Sequence, residues 1–497
     1  MFLRTAGTAI GLVIASGASA QVSISQQDSQ WYTDAQERID ELAAIQSNTN
    51  RAKNVILFVA DGNGVGTNYA TRLWVGQQAG GPGDDHVLPQ EAFPNLALVK
   101  TYTTNGQTPD SAPTASAMNT GIKSRNGTIN VGDEGGYDNC EGAATAGLTT
   151  FAEIVSDMGK SVGVVSTARI THATPAAVYA KTTNRDWEDN TALPENCAQK
   201  DIAAQLVDAV DAGTLDFVMG GGRQHFLPNG VTDDEGAEGR RTDDRNLIEE
   251  IQAKGWQYVW NDETAAAADP TKPVLGLFEA SHMQYEDERT DEPSLAQMTE
   301  MAINNLSNNA EGYYLSIEAG RVDHANHDGN LHRAVTDGAS FAEAIEKAVS
   351  MVDLSETLII VTADHEHAIA FNGYCGIGTP ITGLCYEIDE QGNTHTGTPS
   401  RGLDGKPYTV AGYLNGPGSV MHQEEGANDY TGTRPDLTQE QATDIDYLQQ
   451  ALVPMTSESH SGEDVAVMAN GPWSHLFRGV IEQNLIFHVM HRAVTAE

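Results

Sequence analysis

Carboxylates and imidazoles recur where apolar runs of this sequence give way to polar turns. Asp61 follows the run at 54–60. Glu318, Asp323 and His327 lie within and just after the run at 313–317, and Asp364 and His365 follow the run at 357–363. Downstream of a further run at 161–165 come His172, Thr174 and Arg185. Asp, Glu and His without a thiolate form a donor set for zinc and magnesium: zinc accepts mixed nitrogen and oxygen, and magnesium requires oxygen. Asp323 and His327 are four residues apart, so on a helical turn they face the same way. A single acid after a strand is as readily a helix cap. Three strands each delivering such residues to one edge are not explained by capping. Clustered carboxylates are costly unless cations compensate them, and a site for several metal ions meets that need.

Such a site needs a nucleophile, and the segment 108–121, TPDSAPTASAMNTG, supplies a candidate in Ser111. Small residues follow it, and Pro113 suits the first turn of a helix. Ser111 would then lie at a helix N-terminus, where backbone N–H groups favour an anion. The plainer alternative is that Ser111 only caps this helix. A neighbouring cation would lower the pKa of its hydroxyl and make it nucleophilic. Arg185, taken by itself, is as readily part of a surface ion pair.

The elements that must position these groups follow from patterning. Short β-branched runs at 54–59, 161–165, 216–219, 313–317 and 357–361 alternate with alanine-rich or amphipathic stretches such as 201–210 and 334–349. This alternation predicts an α/β fold, with a large, mostly parallel central sheet covered by helices on both faces in three α/β/α layers. Ligands of such sheets bind beyond the carboxyl ends of the strands, where the candidate residues fall. Residues 371–435 break the pattern: rich in Gly, Pro, Thr and Asn, they read as an insertion of loops and short strands. Residues 29–46 read as a polar amphipathic helix outside the core.

The chain has 497 residues, 39% of them hydrophobic, enough to bury a large core. Its formal charge of −41 argues against nucleic acid as a specific partner. Residues 1–20 read as a secretory signal peptide: Arg4, a short apolar run at 9–15, and Ala18-Ser19-Ala20 as the cleavage pattern, with cleavage after Ala20. The expected location is secreted or periplasmic. No later run approaches the roughly 20 apolar residues of a membrane span, and no lipid-anchor tail is seen, so no membrane anchor is expected. An even count of cysteines in a secreted chain favours two disulfides. Cys140, Cys197, Cys375 and Cys385 allow three pairings; Cys375 with Cys385 is the local one, leaving Cys140 with Cys197. Without C-x-x-C spacing, zinc ligation by cysteine is the weaker reading.

Taken together, Asp61-Gly62, Asp110-Ser111-Ala112 with its small-residue helix, Thr171-His-Ala-Thr174 and Asn184-Arg185 are similar to the motifs of the alkaline phosphatase family. So are IEAGRVDHANH ending at His327, Thr362-Ala-Asp-His365 and His460-Ser-Gly-Glu-Asp464. The blocks follow the family's order from about residue 50 to 490. His172 and His324 resemble its eukaryotic-type branch. The resemblance implies one catalytic domain over 21–497, with the segment at about 371–435 as a crown-like insertion. It further implies a phosphate monoester hydrolase, active at alkaline pH, that works through a covalent phosphoserine on Ser111 with Arg185 as phosphate clamp. Asp323, His327 and His460 would bind a first zinc ion. Asp61, Asp364 and His365 would bind a second. Thr174 and Glu318, with Asp61 bridging, would bind one magnesium ion. His172 and His324 would act from behind these ligands, His172 through a bound water. Phe278, Glu279 and Glu292 resemble part of a peripheral calcium site of that branch, and ordinary surface acids are the alternative. A homodimer is expected, with phosphate monoesters as substrates and inorganic phosphate as product. Phosphodiester or sulfate ester hydrolysis is the rival reading. Ser111-Ala-Pro113 superficially matches the start of a sulfatase C/S-x-P-x-R motif, but position 115 is Ala.

Overall fold

The computed structural model describes residues 24–233, 235–392, 397–423 and 429–496. The expected signal peptide and its cleavage point after Ala20 lie outside the described residues. Residues 1–46 and 47–497 form two separate compact units. Of the first, the described part is essentially one helix, Gln30–Ala44, which has no buried side chain.

The second unit is built on a ten-stranded sheet. In chain order its strands are β1 (Asn54–Ala60), β2 (Asn95–Lys100), β3 (Ser161–Arg169), β4 (Phe217–Gly221), β5 (Gln257–Val259), β6 (Val274–Leu277), β7 (Tyr313–Ala319), β8 (Thr357–Ala363), β9 (Val465–Asn470) and β10 (Gly479–Glu482). Their spatial order is β10-β2-β9-β8-β1-β7-β3-β4-β6-β5. Only β9 runs antiparallel to its neighbours. All five predicted runs are strands. The other five are short or carry one wet face: β2 leaves Leu96 and Leu98 exposed, so it lacks the continuous apolar signature of a strand buried on both sides.

β1 lies between β8 and β7 and is buried at every residue. Successive side chains of a strand point to opposite faces, and β1 feeds both cores accordingly. Val55, Leu57 and Val59 join one cluster, with Phe151 and Tyr314 packed edge to face at 4.8 Å. Ile56 and Phe58 join the other, where Phe58 meets Phe341 of the helix Leu331–Met351 at 5.8 Å. The predicted helices span Ile202–Asp211, capped by Asp201, and Leu331–Met351, capped by Asn330. Among the described residues between 371 and 435 the regular elements are short strands, among them Ala411–Gly416, which pairs with Ile369–Phe371 and Ala451–Pro454. Disulfides join Cys140 to Cys197 and Cys375 to Cys385.

The position of β1 makes Phe58 a support for everything at its carboxyl end. Phe58→Ala should destabilise the protein by about 3–5 kcal/mol, the usual cost of emptying a buried aromatic site. Denaturant unfolding of the two proteins side by side would test this, and a loss under about 1 kcal/mol would mean the site collapses freely or is not packed as described.

Candidate metal and nucleophile centre

The ends of β1, β7 and β8 register side by side, Ala60 against Ala319 and against Ala363. The residues just past or within these ends, Asp61, Glu318 and Asp364, are therefore neighbours across the sheet. Each is almost completely buried, as is His365. The turn that follows β1 carries Gly62 at φ +66°, and a Cβ there would lie 2.3 Å from His367 Nε2. Only glycine fits so tight an exit from the strand.

Ser111 opens the helix Ser111–Thr120, but it is not the cap. That role falls to Asp110, whose Oδ1 accepts the Ala112 N–H at 2.7 Å. Ser111 Oγ is thereby free for another task. It lies 3.2 Å from Asp61 Oδ1 and 3.3 Å from His365 Nε2. His365 Nε2 is 3.1 Å from Asp61 Oδ1 and 3.4 Å from Asp364 Oδ2. Three donor atoms and the hydroxyl thus enclose one small space, the group expected for the second zinc.

The first-zinc group also meets. His327 Nε2 and His460 Nε2 are 3.1 Å apart and lie 3.4 and 3.3 Å from Asp323 Oδ1. Tetrahedral zinc with ligand bonds of about 2.0–2.1 Å separates its ligands by roughly 3.3 Å, so the spacing fits. The tautomers fit as well. His327 Nδ1–H donates to the Glu458 carbonyl at 2.6 Å and His460 Nδ1–H to the Pro109 carbonyl at 2.9 Å. Both Nε2 lone pairs are then left for a cation.

Asp61, His172 and Glu318 form a third group. Here buried polar atoms lack any protein hydrogen-bond partner at normal distance: His172 Nδ1, Thr174 Oγ1 and Glu318 Oε1. Orphans of this kind are rare unless an ion or water serves them. His172 offers a ring nitrogen within 4.8 Å of ligand atoms of Asp61 and Glu318. Its Nε2 accepts from Arg185 Nη2–H at 2.9 Å, and Arg185 Nη1–H donates to Asp110 Oδ1 at 3.2 Å. Asp110 therefore both caps the helix that Ser111 opens and orients Arg185. His324 stands behind, its ring 5.5 Å from that of His172 and its Nδ1 beside Arg321.

The electrostatics favour bound cations. Burial raises the Asp61 carboxyl well above its ordinary range, helped by Asp323 and Glu318. Burial, together with the neighbouring acids, pushes Glu318 and Asp364 up to about 7. Burial and the nearby arginines hold His172 well below the usual imidazole range, and burial brings His324 down to about 3, so both rings are neutral. Burial opposes the Arg185 charge, but Asp110, Asp61 and Asp323 more than offset it.

The sequence reading missed His367 and Glu458. His367 Nε2–H donates to Asp323 Oδ1 at 2.9 Å, and its Nδ1–H pairs with Glu458 Oε2. Burial alone would lower its pKa, but the two carboxylates push it up to about 10. A positive His367 thus fixes the lone pair that Asp323 presents. The available signal was its spacing of two from His365, the same-face period of an extended chain. Away from this centre, Glu279 and Glu292 lie together: burial and Glu279 raise Glu292 to about 8. Arg289 Nη1–H donates to Glu292 at 2.9 Å, and Arg223 pairs with Asp233 and Glu235 nearby.

Comparison with known proteins gives one family. A family model described as alkaline phosphatase matches residues 52–496. An alkaline phosphatase of Gadus morhua is 39% identical over 478 residues, covering 93% of this chain and 95% of that protein. The tissue-nonspecific alkaline phosphatase isozyme of Rattus norvegicus is 40% identical over 480 residues, covering 93% of this chain and 87% of its own. Among solved structures, the alkaline phosphatase of Thermus thermophilus superposes with a TM-score of 0.64 at 22% identity, over 92% of this chain and 94% of that one. That of the Antarctic bacterium TAB5 gives 0.61 at 21%, over 90% and 100%.

If His367 orients Asp323 as described, His367→Ala should lower metal affinity or activity about 10- to 100-fold, the usual effect of removing a ligand's hydrogen-bond partner. Metal content after dialysis, read beside turnover, would check it; unchanged metal retention and unchanged rate would refute the role.

Proposed function

The chain belongs to the alkaline phosphatase family, and from that premise we propose that Ser111 is the nucleophile of a metal-dependent phosphate monoester hydrolase acting through a covalent phosphoserine. The class of activity, phosphoric monoester hydrolysis, goes with the family. The observation that carries the finer reading is the placement of Ser111 Oγ within 3.3 Å of both Asp61 and His365 at the start of a helix.

Asp323, His327 and His460 would hold one zinc ion, and Asp61, Asp364 and His365 a second. Asp61, Thr174 and Glu318 would hold magnesium, with His172 beside them. Divalent cations bound there supply Lewis-acid stabilisation and favour deprotonated oxygen nucleophiles near neutral pH. In the first step Ser111 Oγ loses its proton and attacks phosphorus in line with the ester oxygen. The P–O ester bond breaks, and the alcohol leaves with the bonding pair and takes up a proton. In the second step water attacks the phosphoserine from the face the alcohol vacated and releases inorganic phosphate and the serine hydroxyl. Arg185, oriented by Asp110 and His172, holds two equatorial oxygens through both steps. A monoester offers this grip two oxygens and still has a third and a second negative charge for the metal side of the site; a diester has only two free oxygens and one charge, so the arrangement favours a monoester. A calcium ion between Glu279 and Glu292 belongs to the same proposal, supported by the mutual repulsion of those carboxyls.

Two further elements of the reading are proposals. Secretion, with residues 1–20 removed, is supported by the two disulfides, which persist in oxidising compartments. No helix among the described residues is long and apolar enough to cross a membrane. Homodimerisation is supported by an apolar face on paired strands, where Leu96 (54% exposed) and Leu98 (37%) of β2 adjoin Val480 (58%) of β10.

The test is hydrolysis of 4-nitrophenyl phosphate by the purified mature protein from pH 7 to 10.5, before and after chelation and with zinc and magnesium restored. Activity should vanish with chelator and return with metal. Ser111→Ala should lose at least about 1,000-fold in turnover while keeping its metals. Activity of a chelated, metal-free sample would overturn metal dependence. A Ser111→Ala protein with near-native turnover would overturn the covalent step.

A further inference from the structure

The clamp is braced by a short backbone bridge. Gly127 N–H donates to Asp110 Oδ2 at 2.6 Å, and the Gly127 carbonyl accepts from the Arg185 N–H at 2.8 Å. Gly127 has φ +83°, and a Cβ built on it would lie 2.5 Å from Cε2 of Tyr137. The edge of the Tyr137 ring therefore occupies the volume that a side chain at position 127 would take, directly beside the residues that hold Arg185. Yet the residue is 51% exposed, and among the described residues no other aromatic ring packs against it.

The loop that carries this ring is anchored to the arginine's own segment. Asp138 N–H donates to the Thr183 carbonyl and Asn139 N–H to Thr183 Oγ1, both at 3.1 Å. Asn184 Nδ2–H donates to Asp138 Oδ1 at 3.0 Å, and the Cys140–Cys197 disulfide follows at once. Burial, then Asp186, Asp138 and Asp110, raise the tyrosine hydroxyl's pKa, while Arg185 lowers it. The hydroxyl is thus within electrostatic reach of the clamp, and the side chain stays uncharged in mildly alkaline solution. The loop under the ring is thus fixed before any ligand arrives, which lowers the ordering cost of binding there.

We propose that Tyr137 is a specificity-determining residue: an aromatic shelf at the rim of the phosphate clamp that stacks on the leaving group of monoesters whose alcohol carries a flat aromatic ring. This rests on the reading that the phosphate lies between Ser111 and Arg185. The shelf touches the part of the substrate that departs, so it acts on formation of the phosphoserine and leaves its hydrolysis alone. The shared chemistry is a flat π-face, which an aryl group or a nucleobase presents equally.

The experiment compares benzyl phosphate with cyclohexylmethyl phosphate, similar in size and charge but differing in the flat ring, on the metal-loaded full-length mature protein. Tyr137→Leu fills the space over Gly127 without a ring; Tyr137→Phe keeps the ring. Relative to the native protein, Tyr137→Leu should lose about three- to tenfold in kcat/KM for benzyl phosphate beyond any change for cyclohexylmethyl phosphate, the range expected for one aromatic contact. Tyr137→Phe should retain the native preference, and inhibition by inorganic phosphate should be unchanged in both. A benzyl-to-cyclohexylmethyl ratio unaltered in Tyr137→Leu would overturn the shelf. So would an equal loss on both esters with weakened phosphate inhibition, since that means the ring only props the clamp. AMP against glycerol phosphate, run in parallel, distinguishes a nucleobase from a simple aryl group as the ligand. If the native protein cleaves neither benzyl nor cyclohexylmethyl phosphate, the catalytic reading itself falls, and with it this inference.

Discussion

Four buried carboxylates, Asp61, Glu318, Asp323 and Asp364, converge at one edge of a parallel sheet. Each would be costly alone, and together they repel. The surrounding architecture can be read as the means of keeping them there. β1, β7 and β8 are buried along their length and packed on both faces, so their backbone ends are fixed by large cores. The price of the charged edge is met by that packing and by the groups that answer the charge: Arg185, His367 and the cations for which the donor sets are shaped.

The same constraint explains why the polar partners are layered. His327 and His460 each direct Nδ1–H to a backbone carbonyl, which fixes the ring and frees the other nitrogen. His367 sits between Asp323 and Glu458 and shares their charge. Asp110 serves three partners at once: the helix of Ser111, the backbone of Gly127 and the guanidinium of Arg185. The helix of Ser111 and the Arg185 guanidinium are consequently held by one side chain, and neither can shift without disturbing the other. Where charge development is to be stabilised in a fixed geometry, such preorganisation matters more than the number of contacts.

Much of this was legible before folding was considered. The five central strands stood out because burial on both faces forces near-continuous β-branched runs. The ligands stood out because they follow those runs. The edge strands did not: β2 exposes Leu96 and Leu98, and β5 has only three residues, too few for any period. His367 was passed over because its one local mark, the spacing of two from His365, does not say which carboxylates it meets. Glu458 lies 91 residues further on, and nothing local ties it to His367. The sequence left open whether Ser111 caps its helix, and only the structure gave that role to Asp110.

What the sequence determined by itself was the kind of chemistry and the sheet that carries it, since donor types, their spacing and hydrophobic periodicity are local properties. The tertiary structure decided which atoms share a space. It alone brought His460 against His327 from 133 positions away, set Ser111 Oγ between Asp61 and His365, and laid Tyr137 over Gly127 beside the arginine. Such contacts depend on strand order and register, and those are fixed by the packing of the whole sheet between its two cores, not by any window of residues along the chain.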